Sequence, residues 1–221
     1  MTLFTQTLLV VKTDPPLDGH GNSLRGFVAR LFPEQELTHN HAGSEFLYLY
    51  PRIQYRVLDQ AGLILGIDEG AEAVEEFSSA LKELEINGVV YRVSEKQLTV
   101  SEVEYGICDS TRKYQFIRPW LALNERNHQK YRDLESFPEK RRFLENILNG
   151  NILSMSKSLG YVVEGRINTE FREIRQVETH FKGIAMTGFT GEFSVNFKIP
   201  DYWGLGKSVS RGFGTLVGCC A

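Results

Sequence analysis

Over the first 107 residues the apolar pattern alternates between a period of two and a helical period in the order β-α-β-β-α-β, which few folds accommodate. Leu3 to Lys12 is rich in Thr, Val and Leu and reads as a strand, broken by Pro15, Pro16, Gly19 and Gly21. Asn22 or Ser23 then caps a helix in which Leu24, Phe27, Val28 and Leu31 recur at helical spacing until Pro33. Glu45 to Leu58 and Leu63 to Ile67 are strand-like, and Glu69 to Leu84 is helical, with Ala73, Phe77 and Leu81 on one face. Strands from Val89 to Val93 and Leu98 to Ile107 complete a split βαβ unit of ferredoxin-like type.

The second half opens with a strand from Tyr114 to Leu121. A polar helical stretch follows, whose Phe143, Ile147 and Leu148 make an apolar stripe ahead of Gly150. Strands are expected from Tyr161 to Ile167, Phe171 to Ala185 and Met186 to Ile199, and the apolar run from Phe189 to Phe197 is a candidate edge for a second copy. The expectation is an α+β chain of two tandem ferredoxin-like domains, 1–108 and 109–221, the second degenerate in its helices. No strict sequence repeat links the halves, so the duplication rests on element order.

Net charge is −3, but its distribution is uneven: before Gly106 there are 8 Lys+Arg against 16 Asp+Glu, and after it 17 against 12. The basic half is where a polyanion would lie, although such charges also make ordinary solvated faces. Cys108, Cys219 and Cys220 form neither a metal-ligand spacing nor an even disulfide framework, and the start of the chain carries no export signal. Both facts predict a reducing cytoplasm.

The tail from Gly204 to Gly214 reads Gly-Leu-Gly-Lys-Ser-Val-Ser-Arg-Gly-Phe-Gly. Two Gly-hydrophobic-Gly units flank five residues that include Lys207 and Arg211, an arrangement that lets backbone amides approach an anion. Gly206-Lys207-Ser208 imitates the end of a Walker A loop, but Asp201 stands where its first glycine belongs, and too little chain follows for the required helix. The competing structural reading is a glycine-rich turn between two closing strands.

Between the first helix and the second strand lies Thr38-His39-Asn40-His41. Two imidazoles two residues apart can divide the acid and base roles of a phosphodiester cleavage. They also fit a packed loop, or a metal site completed by Glu36 or Glu45. In the strand that follows, Phe46, Tyr48 and Tyr50 share one face.

The glycine-rich tail resembles that of the CRISPR-associated endoribonucleases of the repeat-cleaving RAMP family, which cut precursor crRNA. Leu24-Arg25-Gly26-Phe27, Thr38-His39-Asn40-His41 and Tyr50-Pro51-Arg52-Ile53-Gln54-Tyr55-Arg56 resemble the N-terminal blocks of its b-type branch, in the right order along nearly the whole chain. The resemblance implies two RNA-recognition-type domains with repeat RNA as partner, and cleavage by His39 and His41 with Tyr48 as helper, without metal or other cofactor. The RNA 2′-hydroxyl would attack the adjacent phosphorus, leaving 2′,3′-cyclic phosphate and 5′-hydroxyl ends. The branch carries a lysine near the end of the first helix where this chain has Arg30 and Leu31, so Arg30 is a candidate phosphate contact. Lys207 and Arg211, framed by Gly204, Gly206, Gly212 and Gly214, are the main candidate RNA contacts, with Arg52, Arg56 and Lys157 as weaker ones.

Candidate protein partners are components of a CRISPR effector complex and a second copy of the chain. Two other functions fit the same residues: a RAMP protein that holds guide RNA without cutting it, and a ferredoxin-like pair that binds a phosphorylated metabolite.

Overall fold

The computed structural model describes residues 1–33, 49–181 and 183–219. The chain forms two compact units: an N-terminal one of Leu3–Val103 with Val209–Gly212, and a C-terminal one of Met1–Thr2, Glu104–Ser208 and the residues from Phe213 onward.

In the N-terminal unit, strands β1 (Thr2–Asp14), β2 (Ile53–Leu58) and β3 (Ala61–Ile67) join the start of β5 (Val89–Trp120) in the order β2-β3-β1-β5, and β4 (Glu83–Ile86) lies on β5. This is the ferredoxin-like order, with β5 as its fourth strand. β3 pairs antiparallel with β1, from Gln6↔Ile67 to Val11↔Gly62, and with β2, from Ile53↔Gly66 to Leu58↔Ala61. Helices α1 (Gly21–Leu31) and α2 (Glu69–Ala80) bury Leu24, Val28, Ala73, Val74 and Phe77 in one core with Leu9, Val11, Ile53, Tyr55 and Ile64.

The helix starts and stops differ from those read in the sequence. α1 begins at Gly21 after His20, without a side-chain cap from Asn22 or Ser23. A Cβ at Gly21 would lie 2.2 Å from the Tyr55 carbonyl oxygen and 2.6 Å from that of Arg211, so close backbone approach fixes this end. α2 stops at Ala80; Leu81 is extended and Leu84 belongs to β4, so the apolar run to Leu84 serves two elements.

In the C-terminal unit the sheet order is β5-β7-β6, with β8 (Leu216–Gly218) on β5. β6 (Thr169–Phe181) and β7 (Ile184–Lys198) form a hairpin that turns at Gly183, where φ is +77°. The strand boundary expected between Ala185 and Met186 therefore falls earlier, where glycine tolerates the left-handed backbone. β7 lies between β5 and β6, so its Phe189 to Phe197 stretch is interior rather than an edge.

The strands expected separately at Val89–Val93, Leu98–Ile107 and Tyr114–Leu121 are one continuous 32-residue strand. Helices α3 (Glu125–Asp133) and α4 (Phe137–Ser158) follow, and α4 runs through Gly150. Tyr161–Ile167 forms no strand: Tyr161 turns its ring edge-on to Tyr105 and Phe197, and its hydroxyl accepts from the Ile107 amide. The core here is aromatic, with Tyr105, Trp120, Phe171, Phe189, Phe193, Phe197 and Trp203 all buried and Leu144, Leu148 and Ile152 supplied by α4.

Candidate nucleic-acid interface

The glycine-rich tail divides between the two units. In the C-terminal unit, Gly204 bridges Thr215, Leu205 N–H donates to Gly214 O (3.0 Å), Lys207 N–H to Leu121 O (3.2 Å) and Gly214 N–H to Pro119 O (2.8 Å). Gly206 has φ +88°, and a Cβ there would lie 2.6 Å from Trp120 Nε1, the indole nitrogen that donates to Asn151. Gly214 has φ +64°, and its Cβ would meet the Leu205 carbonyl oxygen at 1.9 Å. These glycines let the tail pack on itself and on Trp120, and the amides of Leu205, Lys207 and Gly214 point into the protein. The side chains carry what this part of the tail offers an anion. Lys207 reaches solvent, and partial desolvation holds its pKa below the usual lysine value against the pull of the Glu125 carboxylate.

In the N-terminal unit the tail forms a single 3₁₀ turn, Val209–Arg211, packed against α1 and β2. Gly212 closes it with φ +90°, its N–H donating to Val209 O at 3.0 Å and its Cα side facing the Tyr55 carbonyl and the Arg56 stem. Gly21 and Gly212 together allow the turn to press on the start of α1, one helical turn before Arg25. Burial lowers the pKa of Arg211, and the Arg25 charge lowers it further; Arg25 itself is lowered by burial. Two arginines near enough to repel each other, half-buried so that water screens them less, form a local concentration of positive charge. Behind them Tyr55 is buried, desolvation raises its pKa, and its hydroxyl has no hydrogen-bond partner among the described residues.

Arg25 is the residue that sequence reasoning did not single out. It sits inside a quoted motif, but only the folding of the distant tail onto α1 brings Arg211 beside it. Arg56 is 1% exposed, and its Nη2 donates to Gln54 Oε1 (2.6 Å) while Gln54 Nε2 donates to Tyr50 Oη (3.0 Å). Arg52 forms ion pairs with Asp68 (3.3 Å) and Glu69 (2.9 Å) at the start of α2. Arg30 is exposed on the last turn of α1 and reaches the Glu85 carbonyl at 3.4 Å; Lys157 is exposed on the last turn of α4. His39, His41 and Tyr48 lie outside the described residues. Among the described residues, no group of three or more His, Cys, Asp or Glu is arranged to hold a metal ion, and no helix is long and apolar enough to cross a membrane.

The models of the Cas6b N-terminal and C-terminal domains match residues 1–104 and 106–219. The chain belongs to the Cas6b family. A solved structure of Cas6b superposes with a TM-score of 0.89 at 37% identity, covering 98% of this chain and all of the other. A second, of a CRISPR RNA processing endoribonuclease Cas6b, gives 0.77 at 33% identity over the same shares. An uncharacterized protein of Methanocaldococcus jannaschii is 44% identical over 137 residues, 62% of this chain and 92% of the relative. A type IV Cas6 crRNA endonuclease, at 13% identity and a TM-score of 0.60, shares the fold.

Proposed function

We propose that this Cas6b chain processes CRISPR RNA in the cytoplasm by binding the repeat and cutting precursor crRNA within it. The observation that carries this reading is the family match over both halves of the chain, which extends through all three N-terminal motif blocks and the glycine-rich tail. Arg25 and Arg211 add two partly buried cationic side chains of the N-terminal unit whose charges influence one another, chemistry that suits a polyanionic partner.

Repeat RNA is bound through its backbone by Arg211 and Arg25 in the N-terminal unit and by Lys207 in the C-terminal unit. Arg30 and Arg52 are peripheral contacts, and Gly204, Gly206, Gly212 and Gly214 hold the loop that presents the cations. The 2′-hydroxyl oxygen forms the new bond to phosphorus as the bond to the 5′-oxygen breaks. One of His39 and His41 takes the 2′-hydroxyl proton and the other protonates the departing 5′-oxygen, with Tyr48 assisting. Cationic side chains offset charge growing on the phosphorane oxygens. The products carry a 2′,3′-cyclic phosphate and a 5′-hydroxyl, and no metal takes part.

His39→Ala or His41→Ala is expected to slow single-turnover cleavage of repeat RNA by about 10²- to 10⁴-fold with little change in RNA affinity. Parental rates in both variants and in the double variant would remove the histidines from the mechanism.

A further inference from the structure

Lys207 lies between two residues with left-handed backbone, Gly206 with φ +88° and Ser208 with φ +57°. Glycine takes that conformation freely and serine only at a cost, so this stretch has no shape of its own and stays where its surroundings seat it. The seat is Trp120 with Leu121. A Cβ at Gly206 would lie 2.6 Å from Trp120 Nε1, 2.7 Å from its Cδ1 and 2.9 Å from the Leu121 carbonyl oxygen, the oxygen that also accepts the Lys207 amide at 3.2 Å.

Trp120 is fully buried, and Phe116 fixes the plane of its ring, with centroids 5.4 Å apart and 2° between the planes; Phe171 and Phe189 tilt against it. Stacking sets a plane but does not decide which edge of the indole points where. The hydrogen bond from Nε1 to Asn151 Oδ1, at 3.0 Å, does. An indole has one N–H to donate, and Asn151 takes it from the middle of α4. The atom that Asn151 holds is therefore the atom on which Gly206 rests, one residue before Lys207.

We propose that Asn151 is a positioning residue for RNA binding, setting the Trp120 indole on which Gly206 and Lys207 are seated. This rests on the reading of Lys207 as a backbone contact to repeat RNA. Asn151 acts from α4 through Trp120, without touching the RNA.

Fluorescence anisotropy of the full chain with repeat RNA across a salt series, below the melting temperature of every variant, tests this. Lys207→Gln is expected to lower the slope of log affinity against log salt by about 0.7, one phosphate contact of a single strand. Asn151→Leu removes the acceptor and is expected to lower the slope by the same amount, and the double variant Asn151→Leu, Lys207→Gln by no more than either alone. Asn149→Leu breaks a bond of the same kind on the same helix, from Thr169 Oγ1 at 2.8 Å, and is expected to keep the parental slope. A parental slope in Asn151→Leu, additive losses in the double variant, or an equal loss in Asn149→Leu would overturn the proposal while leaving Lys207 its role. A parental slope in Lys207→Gln would overturn the reading of Lys207 as an RNA contact, and the proposal with it.

Discussion

Gly214 has a left-handed backbone, and a Cβ there would stand 1.9 Å from the Leu205 carbonyl oxygen. The contact is to backbone, so no rotamer change relieves it. Gly214→Ala is expected to cost about 2 kcal/mol or more of stability, combining left-handed strain with displacement of the loop. Thermal denaturation reads this directly, and an unchanged melting temperature would mean that the tail does not hold the described path. At the same scale, Arg25 shows what a linear reading cannot reach. Its surroundings are set by Arg211, and nothing local to Leu24-Arg25-Gly26-Phe27 signals that the tail folds onto α1. Arg56 illustrates the converse. It follows Tyr55 in a strand whose residues from Ile53 to Val57 are all buried, so the exposure expected of an arginine does not apply.

Among the elements, α4 is delimited most explicitly by its sequence. Ser136 Oγ accepts from the Glu139 amide (3.3 Å), while the Glu139 carboxylate accepts from the Ser136 amide (3.1 Å) and hydroxyl (2.7 Å), with Pro138 in the first turn. Ser136→Ala is expected to destabilise the chain by about 1 kcal/mol near neutral pH. The hydrogen bonds from Ser136 hold the Glu139 pKa below its usual value, so its contribution is complete above the ordinary glutamate range and lost as pH falls through the lowered pKa. The gap between parent and variant in denaturant titrations should therefore narrow in acid; a gap independent of pH would separate Glu139 from the cap.

The N-terminal β-α-β-β-α-β order is legible because α1 and α2 each bury an apolar stripe at helical spacing, while β2 and β3 are short, continuously buried runs. The single β5 strand is less legible. Polar residues 94–97 interrupt its apolar pattern because they are exposed, and a sequence reading divides the strand there. Tyr161–Ile167 has the reverse problem: apolar residues suggest a strand, yet Tyr161 anchors an irregular segment to the aromatic core instead.

For the whole molecule, the family match covers both halves of the chain, and the cations of the tail are distributed over both units. Replacing Lys207 and Arg211 together is expected to weaken binding to every repeat sequence alike. The slope of log affinity against log salt should fall by about one to two, the change for two lost phosphate contacts. Fluorescence anisotropy across a salt series measures it, and an unchanged slope would leave the tail with its packing role alone.

We propose that this Cas6b chain cuts repeat RNA with the RNA's 2′-hydroxyl as nucleophile and without metal. The direct measurement is cleavage of CRISPR repeat RNA in EDTA, beside an identical RNA carrying a 2′-deoxy nucleotide at the scissile position. The first is expected to be cut, to 2′,3′-cyclic phosphate and 5′-hydroxyl ends, and the second to be bound but left intact. Cleavage of the deoxy RNA, or loss of all cleavage in EDTA with recovery on adding a divalent cation, would contradict it.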